Sequence, residues 1–151
     1  MLNVGDAAPD FSTTDQAGNP VKLADFKGRR VVLYFYPKDS TPGCTIEARA
    51  FRDAFESFKT KGAVVLGVSK DSPGSHKKFA DKEGLPFPLL MDEDMKIIKA
   101  YEAWGDRSIV GRIFSGVMRK TYIIGPDGRI QAIFPNVSPS RHAREVLAAL
   151  E

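Results

Sequence analysis

The chain has 151 residues, 42% of them hydrophobic and 27% charged, which is the size and composition of one globular domain, expected to span residues 1–151. Its net charge of +3 is modest, and the absence of a basic block or zinc-finger spacing argues against nucleic-acid binding. No apolar run approaches the ~18 residues of a membrane span, so no membrane association is expected.

The first half of the chain predicts a strand, a helix and a second strand. Ahead of them, the turn residues Ala17-Gly18-Asn19-Pro20 indicate a small N-terminal hairpin. Two nearly continuous apolar runs, Val31 to Tyr36 and Ala63 to Val68, predict parallel strands covered on both faces. Between the two runs, apolar residues recur at the spacing of one helical face and predict a single helix from about Thr41 to Lys61.

The second half of the chain also alternates helices with strands, and it closes with a hairpin followed by a helix. Its predicted elements are a helix from Pro73 to Gly84, a strand from Phe87 to Met91, a helix from about Met95 to Glu102, strands Lys120 to Ile124 and Arg129 to Phe134, and a closing helix that includes Leu150. Residues 105–118 are expected to form a loop. This order predicts an α/β fold whose mixed central β-sheet is flanked by helices on both faces.

Three of the helices are predicted to begin with a hydroxyl residue followed by proline. The pairs are Thr41-Pro42, Ser72-Pro73 and Ser138-Pro139. A hydroxyl at the N-cap accepts a hydrogen bond from a free backbone N–H, and a proline at the first helical position removes another such donor.

Cys44 is the only cysteine of the chain. With Thr41 as the N-cap and Pro42 as the first helical residue, Cys44 lies at the third position of the helix. A lone cysteine is usually an inert small hydrophobe, but the unpaired N–H groups and the dipole of a helix N-terminus favour a reactive thiolate. With a single cysteine no internal disulfide can form, and the first residues lack the features of a signal peptide. A reducing, cytoplasmic compartment is therefore expected.

The residues around Cys44 suit an activated sulfur. Thr41 would lie one turn away, where its hydroxyl can donate to the sulfur or to a bound substrate, and Gly43 would let a ligand approach the backbone. Pro37 can end the preceding strand and shield the sulfur from water. Glu47 lies three residues beyond Cys44 on the same helical face, where a free carboxylate would oppose a thiolate, so we expect an arginine beside it.

The pattern Pro37-xxx-Thr41-xx-Cys44 resembles the active-site signature of peroxiredoxins. The longer run from Tyr34 to Thr45 is similar to the bacterioferritin comigratory protein, or peroxiredoxin Q, subfamily. Further matching segments are Gly5-Asp6-Ala7-Ala8-Pro9-Asp10-Phe11, Gly67-Val68-Ser69-Lys70-Asp71-Ser72, Ser75-His76-xx-Phe79 and the run from Arg119 to Gly128. The resemblance therefore extends over most of the chain.

The resemblance implies a thioredoxin fold and a peroxidase that needs no cofactor or metal. Cys44 would attack the O–O bond of hydrogen peroxide or a small organic hydroperoxide and become a sulfenic acid. By the family pattern, Arg119 would support the thiolate and the transition state, and Glu47 would orient Arg119, while Thr41 and the Cys44 amide would hold the peroxide. A monomer is also implied.

The chain departs from the subfamily at the two usual positions of a second, resolving cysteine, which here are Arg49 and Ala80. The resemblance then implies a one-cysteine cycle, with the sulfenic acid reduced by an external thiol. Glutathione, glutaredoxin and thioredoxin are the candidate reductants. Without a reductant, Cys44 is expected to oxidise further in excess peroxide.

Two other functions stay open at this point. One is a non-catalytic thioredoxin-fold module that binds clients or acts as a holdase, and the other is a thiol-transfer enzyme acting on disulfides. The intact set of Pro37, Thr41, Cys44 and Arg119 argues against the first, and the single cysteine argues against the second.

Several other residues are given ordinary roles. His76 and His142 are expected to be surface histidines, since neither has the spacing of a metal ligand or a nucleophile's partner. Arg49 and Arg52 are expected to be solvated charges on a helix face, and Trp104 is expected to be a partly packed aromatic.

Overall fold

The computed structural model describes residues 1–109, 111–135 and 137–150, with side chains except those of residues 107–109 and 114. The strands are β1 Ser12–Thr14, β2 Pro20–Lys22, β3 Arg30–Phe35, β4 Ala63–Ser69, β5 Leu89–Met91, β6 Trp104–Ile109, β7 Arg112–Val117, β8 Lys120–Ile124 and β9 Ile130–Phe134. The α-helices are α1 Pro42–Asp53, α2 Phe55–Thr60, α3 Pro73–Glu83, α4 Lys96–Ala100 and α5 His142–Ala149.

A mixed five-stranded sheet in the order β5-β4-β3-β8-β9 forms the centre of the molecule. β3 pairs in parallel with β4 and antiparallel with β8, and β8 and β9 form the hairpin that the turn sequence predicts. The N-terminal hairpin of β1 and β2 is also confirmed. The predicted strand, helix and strand order of the first half is therefore correct.

Alternation along β3 sends side chains to both faces of the sheet. Leu33 and Phe35 join an apolar cluster on one face, and Tyr34 and Tyr36 join the cluster on the other face, which contains Cys44. Since all these side chains are nearly inaccessible to solvent, β3 is the central strand against which the helix of Cys44 packs.

Two predicted elements differ in the structure. The helix expected from Thr41 to Lys61 divides at Ala54, whose φ of −93° and ψ of 4° depart from helical values. The apolar spacing runs through this break, so the pattern could not reveal it. The expected loop over 105–118 is a hairpin of β6 and β7 in which Gly105 pairs with Gly116; residue 110 lies outside the described residues. Its glycines concealed the strand pattern, because glycine is a poor strand former.

The hydroxyl and proline pairs begin two helices out of three. Ser72 caps α3 and accepts a hydrogen bond from the amide of Ser75, as predicted. Thr41 has the extended backbone of an N-cap, but its side chain makes no capping bond. The third prediction is wrong, because α5 begins at His142, and Ser138 instead forms a turn whose carbonyl accepts the amide of His142.

In the described part of the chain no helix has the length and apolar character needed to cross a membrane.

Candidate active site

Cys44 occupies the third position of α1, where the sequence places it. Thr41 is the N-cap and Pro42 the first helical residue. The side chain of Cys44 is 1% exposed, so its sulfur is reached only by a small reactant or after the surrounding chain moves. The amides of Gly43 and Cys44 lie in the first turn, where a helix offers no backbone acceptor.

Arg119 lies against the sulfur. It precedes β8, and the antiparallel register of β8 with β3 pairs Lys120 with Phe35, which brings Arg119 to the end of β3 from which α1 departs. Its Nη2 donates to the Cys44 Sγ at 3.3 Å, and its Nη1 donates to the Glu47 Oε1 at 3.1 Å. The guanidinium therefore bridges the thiol and the carboxylate, and it remains partly exposed to solvent.

Glu47 is fully buried, and burial raises its pKa to about 7, with the charge and hydrogen bond of Arg119 offsetting part of the rise. Its second oxygen, Oε2, has no hydrogen-bond partner among the residues that the structure describes. Glu47 thus has Arg119 as its counter-ion, the arrangement that sequence reasoning required.

Gly43 makes room for the guanidinium. A Cβ built on Gly43 would lie 2.6 Å from Nη2 of Arg119 and 3.4 Å from its Cζ. Any side chain at position 43 would push Arg119 away from the sulfur. The glycine therefore makes room for Arg119, and the approach of a ligand to the Gly43 backbone stays a prediction.

The turn before α1 holds the other expected site residues. Pro37 is half-buried and directly follows Tyr36. The Thr41 hydroxyl donates to the carbonyl of Lys38 at 2.8 Å. Its single proton is thus used by Lys38 in this structure, and donation to the sulfur or to a substrate, which would require the hydroxyl to rotate, stays a prediction. The oxygen of Thr41 keeps its capacity to accept.

The expectation of surface histidines is wrong, because both are fully buried. His76 lies 2.7 Å from Asp39, and the Nε2 of His142 lies 2.6 Å from the hydroxyl of Thr121. Burial lowers the pKa of His142 to about 4, so this ring is neutral at physiological pH. A lone histidine carries no periodic pattern, which is why its burial could not be inferred.

Arg49 and Arg52 extend toward the end of α3. Arg49 is half exposed and pairs with the carboxylate of Glu83, while Nη1 of Arg52 donates to the backbone carbonyl of Glu83 at 2.7 Å. The prediction of solvated charges describes Arg49 in part but misses this link between α1 and α3. Ala80 lies in α3 and is nearly buried.

Trp104 is half-buried against the core, as expected, with the Lys70 ammonium 5.4 Å from its ring.

Sequence reasoning missed Asp39. This carboxylate is 4% exposed and bonds to Tyr36, Ser75 and His76. The only signal was local, since an acidic residue three positions after a strand-end tyrosine can bond back to its hydroxyl. The contacts with α3 depend on the tertiary structure.

Comparison with known proteins identifies the family. Residues 4–133 match the AhpC/TSA family. Peroxiredoxin Bcp of Escherichia coli (strain K12) is 44% identical over 146 residues, covering 97% of this chain and 94% of that protein. Peroxiredoxin Bcp of Bacillus subtilis (strain 168) is 43% identical over 150 residues, covering 99% and 96%.

Solved structures agree with the sequence comparison. A cysteine-to-serine mutant of PrxQ from Xylella fastidiosa superposes with a TM-score of 0.92 at 36% identity, covering 99% of this chain and 96% of that one. The bacterioferritin comigratory protein of Xanthomonas campestris, described for its alkyl peroxide reduction activity, gives a TM-score of 0.89 at 36% identity with the same coverage. These likenesses confirm the thioredoxin fold.

Proposed function

The chain belongs to the AhpC/TSA family, within its Bcp or peroxiredoxin Q group, and from this membership we propose that Cys44 is the residue at which it reduces hydroperoxides. The protein is a thiol-dependent peroxidase. Hydrogen peroxide and small organic hydroperoxides are the proposed substrates, supported by the alkyl peroxide reduction attributed to the Xanthomonas campestris relative.

The observation that carries the proposal is the Arg119 guanidinium held between Cys44 and Glu47. A cation 3.3 Å from the sulfur favours the thiolate over the thiol. The N–H groups of the Arg119 guanidinium would stay beside the peroxide as negative charge moves from the sulfur to the departing oxygen. Donors already fixed in position stabilise such charge without having to reorganise.

The chemical step is a displacement at oxygen. The thiolate attacks one peroxide oxygen, so that an S–O bond forms and the O–O bond breaks. The electron pair leaves on the second oxygen, which takes a proton to give water or an alcohol. Cysteine is thereby oxidised to a sulfenic acid and the peroxide is reduced.

Thr41 and the first turn of α1 are proposed to hold the substrate. The Thr41 oxygen can accept a hydrogen bond from the hydroperoxide while its own hydroxyl continues to donate to the backbone carbonyl of Lys38. The free amides of Gly43 and Cys44 can donate to the peroxide oxygens. Pro37, which is half-buried on the turn before Thr41, would limit access of water to the sulfur.

Regeneration requires an outside thiol, because the chain has one cysteine. The thiol attacks the sulfenic sulfur and releases water, and a second thiol then reduces the mixed disulfide. Glutathione, glutaredoxin and thioredoxin are the candidates. We propose that the chain works as a monomer in the reducing cytoplasm, where such thiols are maintained.

The test is the second-order rate of the reduced protein with hydrogen peroxide, combined with its intact mass. We expect a rate far above that of free cysteine and the addition of one oxygen, both absent in Cys44→Ser. A rate like that of free cysteine would contradict the proposal and favour a client-binding module. Measuring turnover with each candidate thiol in turn then identifies the reductant.

A further inference from the structure

Residues 37–41, here named the active-site loop, join β3 to α1 and carry two of the proposed site residues, Pro37 and Thr41. Ser40 in this loop has a φ of +63°. Residues other than glycine seldom adopt this left-handed region, and they persist there only when surrounding contacts impose it. The geometry of the active-site loop therefore depends on an anchor.

Asp39 is that anchor. Its Oδ1 accepts the Tyr36 hydroxyl at 2.6 Å, and its Oδ2 accepts the Ser75 hydroxyl at 2.9 Å and lies 2.7 Å from Nδ1 of His76. Its backbone amide donates to the carboxylate of Asp71 at 2.9 Å. The active-site loop is thus fastened to Tyr36 directly after β3, to Asp71 just beyond β4 and to α3 through one buried residue.

The ring of His76 is fully buried between two acceptors. Its Nδ1 faces the Asp39 carboxylate, and its Nε2 lies 3.0 Å from the carbonyl oxygen of Leu90. An ionised carboxylate and a carbonyl only accept, so the geometry points to a ring that carries a proton on each nitrogen, an imidazolium paired with the Asp39 carboxylate. Burial opposes this charge, but the bond to Asp39, with the nearby charge of Asp71, raises the pKa of His76.

Resting on the proposed function, we propose that His76 is a positioning residue for the peroxidase reaction, acting as a buried cation that holds Asp39 and through it the active-site loop. His76 touches neither the sulfur nor the peroxide. Removing its charge would leave the Asp39 carboxylate buried without a counter-ion, and a buried unpaired charge forces the surrounding structure to rearrange. The oxygen of Thr41, at the end of the active-site loop, would then lose its position.

The test compares three variants: His76→Gln, Asp39→Asn and the double variant. His76→Gln leaves the Asp39 carboxylate without its counter-ion, whereas the double variant removes both charges. The amide introduced at position 39 offers an oxygen that accepts the Tyr36 hydroxyl and an N–H that donates to the Ser75 hydroxyl oxygen. We expect the peroxide rate constant to fall about tenfold or more in His76→Gln, as small displacements of reacting groups produce. We expect the double variant to recover most of the loss. Equal losses in both would overturn the proposal.

A readout separate from folding is the alkylation of Cys44 by iodoacetamide, which needs the thiolate but no bound peroxide. In His76→Gln we expect Cys44 to be alkylated at the wild-type rate although its reaction with peroxide is slowed. General loosening would instead expose the buried sulfur and speed alkylation, which would contradict positioning. His142→Gln is the matched control, because it removes the other buried histidine. An equal loss of peroxide rate in that variant would also overturn the proposal.

The protonation of His76 is observable by long-range ¹⁵N–¹H NMR, with the two histidines assigned through His142→Gln. We expect both His76 nitrogens to carry protons at pH 7. A neutral His76 ring would overturn the proposal whatever the kinetics. A slow wild-type reaction with peroxide would refute the proposed function itself, while a fast wild type with an equally fast His76→Gln would refute only the inference about His76.

Discussion

Replacing Gly43 with alanine should slow the reaction with peroxide without unfolding the protein. The added methyl carbon would lie 2.6 Å from Nη2 of Arg119. The main chain of α1 is held by its helical hydrogen bonds, so the long arginine side chain is the group that moves. A retreat of about 1 Å restores ordinary van der Waals contact.

That retreat lengthens the contact between the guanidinium and the Cys44 sulfur from 3.3 Å to roughly 4.3 Å. At an effective dielectric constant of about 20, the attraction between opposite unit charges falls from about 5 to about 4 kcal/mol. The difference of roughly 1.2 kcal/mol, together with the lost hydrogen bond, corresponds to about a tenfold lower rate constant.

The assay is the second-order rate constant with hydrogen peroxide, measured beside urea unfolding. Gly74→Ala is the matched control, because Gly74 holds the same place after the first proline of α3, and its built Cβ meets no described residue within 4 Å beyond its own stretch of helix. Gly74→Ala should react at the wild-type rate. Alanine favours a helix over glycine by up to about 1 kcal/mol, so neither variant should be markedly destabilised.

A wild-type rate in Gly43→Ala would refute the role given to the guanidinium contact. The same glycine substitution in the Arg119→Ala background tests whether the methyl acts through the guanidinium. With Arg119 absent, the additional methyl at position 43 should have no further effect, and a tenfold loss that persists there would show that the methyl acts on something other than Arg119.

Three further predictions concern buried and exposed charges. Because the pKa of Glu47 is raised to about 7, its burial as a carboxylate should destabilise the fold as pH rises from about 4.5 to 7. Glu47→Gln should therefore gain about 3 kcal/mol over the wild type at pH 8 and nothing at pH 4, and a pH-independent difference in urea unfolding would contradict this. Because the pKa of His142 is lowered to about 4, the wild type should lose up to about 3 kcal/mol as pH falls from 6.5 to 4. The difference between the unfolding free energies of the wild type and of His142→Gln, measured at each pH, should isolate that loss. A difference that does not change with pH would refute the prediction. Arg49→Ala breaks the pair with Glu83 and should leave the peroxide rate unchanged, whereas Arg119→Ala should lower it by more than tenfold. The reverse order would assign the activating cation to Arg49.

The amino-acid sequence alone determined the local chemistry of the site. Steric and hydrogen-bonding rules that act over a few residues account for the end of the strand shortly before Pro37, the Thr41-Pro42 start of the helix and the third position of Cys44. The individual strands of the central sheet and its final hairpin follow from apolar periodicity and from one turn sequence. These features persist in the structure because each is set by neighbours along the chain.

Only the tertiary structure decided which distant groups surround Cys44. The register of β8 against β3 places Arg119 on a sulfur 75 residues away, and the packing of α3 places His76 on Asp39. Sequence spacing predicted both histidines to be exposed, and the folded chain buries both. Whether a polar side chain is buried depends on partners that arrive from other elements, because only those partners can offset the loss of water around it.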